Sequence, residues 1–212
     1  MERRSWLRHC TLLALALAGG QVRARTGAPV VLVVGDSLSA EYGIRRGEGW
    51  VALLEARLGR EKIPATVVNA SISGDTTSGG RSRLPSLLKR HAPSVVVIEL
   101  GGNDALRGLP LQMTRDNLTQ MARMAQDAGA RVVVVGMQMP PNYGRRYAED
   151  FAAMFADVAR DRKAAFVPFL LSGVADVPDA EANFQADRIH PVASAQPKML
   201  ANVWPALAPL LR

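Results

Sequence analysis

The chain has 212 residues, 48% hydrophobic and 21% charged, a balance that excludes a disordered or low-complexity chain and fits one domain with a sizeable core. Its formal charge is +7, of which residues 1–24, with four arginines against Glu2, carry +3, leaving +4 for residues 25–212. The basic pairs Arg45-Arg46, Lys89-Arg90 and Arg145-Arg146 lack interleaved aromatics and read as solvated surface rather than a nucleic-acid patch, leaving open a weak attraction to anionic substrates or lipid surfaces.

The first segment reads as a secretory signal peptide. Arg3, Arg4 and Arg8 precede the apolar run from Thr11 to Ala18, and Val22-Arg23-Ala24 offers small residues for a cut after Ala24. That run is far shorter than the ~20 residues needed to span a bilayer, so no stable membrane insertion is expected. The only cysteine, Cys10, lies in it, so the hydrolase-sized domain 25–212 has no disulfide, which is compatible with a periplasmic or secreted location.

The first strand is predicted at Val30-Val31-Leu32-Val33-Val34, an apolar run that enters Gly35-Asp36-Ser37. A helix follows over Gly47–Gly59, then a strand at Ala65–Asn69, the small-residue loop Ser71–Ser78, and a helix at Arg81–Arg90 whose start Pro85 obscures. Ser94–Leu100 is a third strand running into Gly101-Gly102-Asn103-Asp104, and a helix spans Leu111–Ala128 before Gly129. A fourth strand at Arg131–Gly136, a loop at Met137–Arg146, a helix at Tyr147–Arg162 and a short strand at Ala165–Pro168 follow. After some twenty aperiodic residues come Asp187-Arg188-Ile189-His190 and an irregular helix from Ser194 to Leu211. Five alternations of strand and helix predict one α/β domain with a parallel sheet.

The strand ends carry the chemistry. A hydroxyl presented by Ser37 at the carboxyl edge of the sheet lies where open α/β sheets place their sites, and a serine needs a base and a group to orient that base. Of three histidines, His9 lies in the signal segment and His91 precedes the third strand at the opposite edge, which leaves His190. Asp187 can orient it from the same turn. Gly74, after strand two, can bring a backbone N–H close, Asn103 can offer its side-chain amide, and the Ser37 N–H is a third donor, so the three together could form an oxyanion hole. Asp36 is left unassigned, as a helix cap or a turn residue.

Gly35-Asp36-Ser37, Gly74, Gly101-Gly102-Asn103-Asp104 and Asp187-x-x-His190, in this order, resemble the four signature blocks of the SGNH (GDSL) hydrolases. Within them the chain is similar to the bacterial periplasmic thioesterase, lysophospholipase and arylesterase group, through Ser39-Ala40 with Tyr42-Gly43, Leu106-Arg107-Gly108, and Pro141-Asn142-Tyr143-Gly144-Arg145-Arg146-Tyr147. The resemblance implies a flavodoxin-like three-layer sandwich with strand order 2-1-3-4-5. It also implies Ser37 as nucleophile, His190 as base then acid, Asp187 as orienter, and Ser37, Gly74 and Asn103 as the oxyanion hole.

The expected activity is cleavage of acyl esters and thioesters through an acyl-serine, with Leu106, Leu109, Met139 and Pro140 lining an acyl groove. A lysophospholipid is a more natural substrate than an acyl-CoA for an exported enzyme. The alternatives are a carbohydrate O-acetyl esterase on the same site and a non-catalytic periplasmic binding protein. No G-x-S-x-G elbow or nucleotide loop is present, and with one usable histidine and no thiol neither a cofactor nor a metal is expected. The protein is expected to act as a monomer on small molecules.

Overall fold

A computed structural model describes residues 27–139 and 141–211; the signal-peptide reading of residues 1–24 lies outside them. Five strands form one sheet: β1 (Val30–Gly35), β2 (Thr66–Asn69), β3 (Val95–Glu99), β4 (Arg131–Val135) and β5 (Ala165–Val167). Every pairing is parallel and the order is β2-β1-β3-β4-β5. The helices are α1 (Trp50–Arg60), α2 (Thr77–His91), α3 (Gly102–Leu106), α4 (Leu111–Asp127), α5 (Arg145–Asp161) and α6 (Gln196–Leu207).

Side chains alternate across the central strands, so each strand feeds two cores. Val31, Val33, Val95, Val97, Val133 and Val135 pack under α1 and α6 with Trp50, Leu54 and Met199. Leu32, Val34, Val96, Ile98, Val132 and Val134 face the opposite way, against Leu84 of α2, Leu118 and Met121 of α4, and Phe151 and Phe155 of α5. Burial on both faces is why these strands read as continuous apolar runs rather than as alternating ones.

The chain passes from β1 to β2 on one side and then crosses to β3 on the other, so β1 is the point where the winding direction changes. At such a switch point the segments leaving neighbouring strands diverge and open a crevice at the carboxyl edge. Gly35 pairs with Glu99 at that edge, which sets the turn after β1 beside the turn after β3.

Two helices differ from their predicted extents. α2 begins four residues before the expected Arg81, because Thr76 caps it by accepting from the Gly79 N–H at 3.3 Å, and Pro85 lies within the helix. Gly80 is required here: a Cβ would come 2.3 Å from Leu100 Cδ1 and 3.2 Å from Met121 Cε. The final helix is split into a 3₁₀ turn at Ala193–Ala195, α6, and a 3₁₀ turn at Ala208–Leu211. Its prolines, Pro197 in the first turn and Pro205 inside, make that path irregular.

Phe155 packs edge-on to Phe151 with ring centroids 5.1 Å apart, and it fills the space beside Gly101, whose Cβ would lie 3.0 Å from Phe155 Cζ. Phe155→Ala is expected to cost ~3–5 kcal/mol of stability by transfer and cavity terms, measurable as a lowered midpoint in urea unfolding.

Candidate active site

Ser37 follows β1 in a turn held by the Ser39 and Ala40 N–H groups, both donating to the Asp36 carbonyl, at 3.2 and 2.9 Å. Its Oγ lies 2.9 Å from His190 Nε2, and His190 Nδ1 lies 2.7 Å from Asp187 Oδ2. The other Asp187 oxygen accepts from the backbone N–H of Ile189 at 2.9 Å and of His190 at 3.0 Å. These bonds to the ionised form, the His190 backbone N–H foremost, hold the Asp187 carboxyl down to about 2. Asp187 therefore stays charged at any working pH and favours the His190 tautomer with its proton on Nδ1, leaving Nε2 free to accept from the serine.

Tyr42, in the segment after Ser37, lies against the imidazole with ring centroids 4.3 Å apart. Its carbonyl accepts from Gln185 Nε2 at 2.9 Å, which fastens the serine segment to the segment carrying the histidine.

The two expected oxyanion segments are joined to the serine turn by carboxylates. Asp36 Oδ1 accepts from the Leu38 N–H at 3.0 Å, and Oδ2 accepts from Asn103 Nδ2 at 3.0 Å. One amide hydrogen of Asn103 is thereby anchored, and the other is left for a ligand. Asp36 is thus an orienting residue for Asn103 as well as a turn residue.

On the opposite side of α3, the buried Asp104 accepts from the Thr77 N–H at 2.8 Å, from the Thr77 hydroxyl, and from Thr114 Oγ1 at 3.3 Å. This fixes α3 to the start of α2, directly after the Gly74 segment.

Gly74 takes φ +78°, which glycine adopts freely. Its carbonyl accepts from Arg107 Nη2 at 2.8 Å, while Asp75 Oδ2 pairs with Arg83 Nε at 2.7 Å. Arg83 also donates to the Ala70 carbonyl and, at 3.5 Å, to the Gly35 carbonyl, which binds this loop to the end of β1. Among the described residues, the Ser37 and Gly74 N–H groups enter none of the turn hydrogen bonds of these loops.

Beneath the serine turn lies Glu99, fully buried at the end of β3. Its Oε2 accepts from Ser39 Oγ at 2.6 Å and from the Asp36 N–H at 3.4 Å, and Trp50 Nε1 donates to Ser39 Oγ at 3.2 Å. A Cβ on Gly35 would lie 2.7 Å from that same carboxyl oxygen. Burial, and then the Asp36 charge, push the Glu99 carboxyl well above its ordinary range. Burial also raises Asp36, to about 6, against the lowering effect of the Leu38 and Asn103 bonds and of His190. Of this pair Glu99 holds the proton, and Asp36 ionises near neutral pH.

The expected acyl groove is not assembled as a unit. Met139 is buried and lines a cavity of about 270 Å³ with Gln138, Arg145, Ala148, Glu149 and Ala152. Leu106 is exposed, Leu109 is half-buried, and neither borders that cavity; Pro140 lies outside the described residues. A second cavity, about 370 Å³ between Glu41, Arg46, Val51 and the β2 edge, touches none of the residues expected at the site. His91 closes α2 at the amino edge, remote from Ser37.

Three side chains important to this geometry were not given a role by sequence reasoning: Asp36, Glu99 and Asp104. An acid ending an otherwise apolar strand was the available signal for Glu99.

Residues 33–196 match the model of the GDSL-like Lipase/Acylhydrolase family. The chain is 52% identical over 199 residues to Esterase TesA of Pseudomonas aeruginosa, covering 94% of this chain and 96% of that protein. It is 40% identical to Thioesterase 1/protease 1/lysophospholipase L1 of Escherichia coli K12, covering 87% and 86%. The crystal structure of TesA superposes with a TM-score of 0.82 at 52% identity over 85% of this chain and 99% of that one.

The Asp36 carboxyl sits at about 6 in the folded protein against an ordinary 3.8. Between these values the folded state binds more protons than the unfolded one, so this group's contribution to stability falls as pH rises across that window. Asp36→Asn is therefore expected to gain stability relative to wild type between pH ~4.5 and pH ~7.5, read by urea unfolding at both. It is expected to lose activity at pH ~7.5, by up to the ~10²- to 10³-fold that removal of one oxyanion donor costs.

Proposed function

Since this chain belongs to the GDSL-like lipase/acylhydrolase family, we propose that it hydrolyses carboxylic esters and thioesters through an acyl-enzyme on Ser37. The observation that carries this reading is the unbroken relay from Ser37 Oγ through His190 to Asp187, at 2.9 and 2.7 Å.

The mechanism follows from the distances. Ser37 Oγ attacks the acyl carbonyl while His190 Nε2 takes its proton, and Asp187 stabilises the imidazolium that forms. The oxyanion is received by the N–H groups of Ser37 and Gly74 and the free amide hydrogen of Asn103. Collapse of the tetrahedral species expels the alcohol or thiol, which takes its proton from His190. Water, deprotonated by the same imidazole, then attacks the acyl-serine and releases the acid. Asn103 is held before the substrate arrives, by Asp36, so little reorganisation is needed when the charge develops.

The acyl substituent fits best in the cavity beside Met139, which α5 closes with Ala148 and Ala152. Residues 1–24 act as a signal peptide cut after Ala24, and the enzyme works as a monomer in the periplasm, where a lysophospholipid is a more available acyl donor than acyl-CoA. Among the described residues no helix is long and apolar enough to cross a membrane.

Ser37→Ala is expected to reduce kcat by about 10⁶-fold and to abolish labelling by a fluorophosphonate probe; a variant that kept a tenth of the activity would remove Ser37 as nucleophile. Across p-nitrophenyl esters from acetate to dodecanoate the rate is expected to rise beyond acetate. An optimum at acetate would favour a carbohydrate O-acetyl esterase instead.

A further inference from the structure

Among the described residues, the exposed large hydrophobic side chains are Tyr42, Ile72, Leu106, Tyr143 and Ile189, each between 41% and 53% exposed. One comes from each of the five segments that follow the five strands, and none from the outer faces of the long helices or from the amino edge of the sheet. Isolated exposed apolar residues are ordinary, but their confinement to a single edge marks a contact surface.

Four of the five are tied to the site by geometry. Tyr42 lies against His190, and the Ile189 N–H donates to Asp187. The Ile72 N–H donates to the Gly35 carbonyl at 3.0 Å, two residues before Gly74. Leu106 ends the helix that carries Asn103. Tyr143 completes the collar from the turn after β4.

The charge on this edge has the opposite sign to that of the chain. Residues 36–49, 70–76, 100–110, 136–144 and 168–195 hold nine acids against four arginines and no lysine, in a chain of net charge +7. Such an edge disfavours an anionic lipid surface. It complements a zwitterionic one, in which the ammonium is the outermost group of each headgroup and tyrosine faces can receive it.

We propose that this edge is a docking surface for zwitterionic lysophospholipid aggregates, with the five apolar side chains seated in the headgroup layer around the mouth of the site. The aliphatic members enter the acyl boundary and the tyrosines sit at headgroup level, as amphipathic rings do at lipid–water interfaces. The proposal rests on the hydrolase reading above and adds the physical state in which the substrate is met.

Adsorption is tested without turnover, by co-sedimentation with vesicles of non-hydrolysable diether phosphatidylcholine and, separately, diether phosphatidylglycerol. The wild type is expected to bind the phosphatidylcholine vesicles more tightly at low salt. The double variant I72Q/Y143Q is expected to bind them about tenfold more weakly, the scale expected when two partly inserted side chains become polar. Its kcat/KM on monomeric p-nitrophenyl butyrate should be unchanged. The proposal is overturned if the wild type does not sediment with phosphatidylcholine, if the variant sediments equally, or if phosphatidylglycerol is preferred. It is also overturned if ultracentrifugation finds a wild-type dimer that the variant dissociates, which would make the collar a self-association face. A wild type inert toward p-nitrophenyl butyrate would overturn the hydrolase reading alone, since vesicle adsorption is measured without chemistry.

Discussion

The site depends on one pairing, Gly35 of β1 against Glu99 of β3 at the carboxyl edge of the sheet. It sets two turns side by side, one carrying Ser37 and the other Asn103. It is possible only because residue 35 has no side chain where the Glu99 carboxyl and the Ser39 hydroxyl converge. From this junction the other contacts radiate: Asp36 reaches across to Asn103, Arg83 reaches up from α2 to the end of β1, and Asp104 ties α3 back to α2. The sheet supplies the stiffness and the carboxylates supply the orientation.

Orientation by buried acids has a thermodynamic cost. Removing Asp36 from water raises its carboxyl, and an ionised group so placed is less favourable in the folded state than in the unfolded one. The Asn103 and Leu38 bonds return part of that cost. Glu99, beneath it, remains tolerable by staying protonated and by its contact with Ser39. A site that stabilises a developing anion next to a permanent one works against its own stability, in line with the general trade between activity and stability at preorganised centres.

Much of this was legible in the chain itself. Val30–Val34, Val95–Ile98 and Val132–Val135 are apolar on both faces, so the strands and their parallel arrangement follow from burial alone. Counting histidines leaves His190 as base, and its three-residue spacing from Asp187 agrees with the 2.7 Å contact. What was not legible depends on partners distant in sequence. The bond from Asn103 to Asp36 spans 67 residues and the one from Ser39 to Glu99 spans 60, and no local periodicity encodes either. Pro85 obscured the start of α2 because its effect on a helix is weighed against packing that only the folded sheet provides. The groove expectation grouped Leu106 and Leu109 with Met139 on shared apolarity, whereas Met139 turns into the core and Leu106 faces water.

The nucleophile and its base are 153 residues apart, and the base stands close to the carboxyl terminus. A chain that grows from its amino end contains the serine turn early and gains the imidazole only when synthesis is nearly complete. Until then it has no general base, so an incomplete or truncated chain is catalytically silent toward the lipids around it. The topology therefore acts as a timing device, delaying reactivity until the last helix is in place to dock.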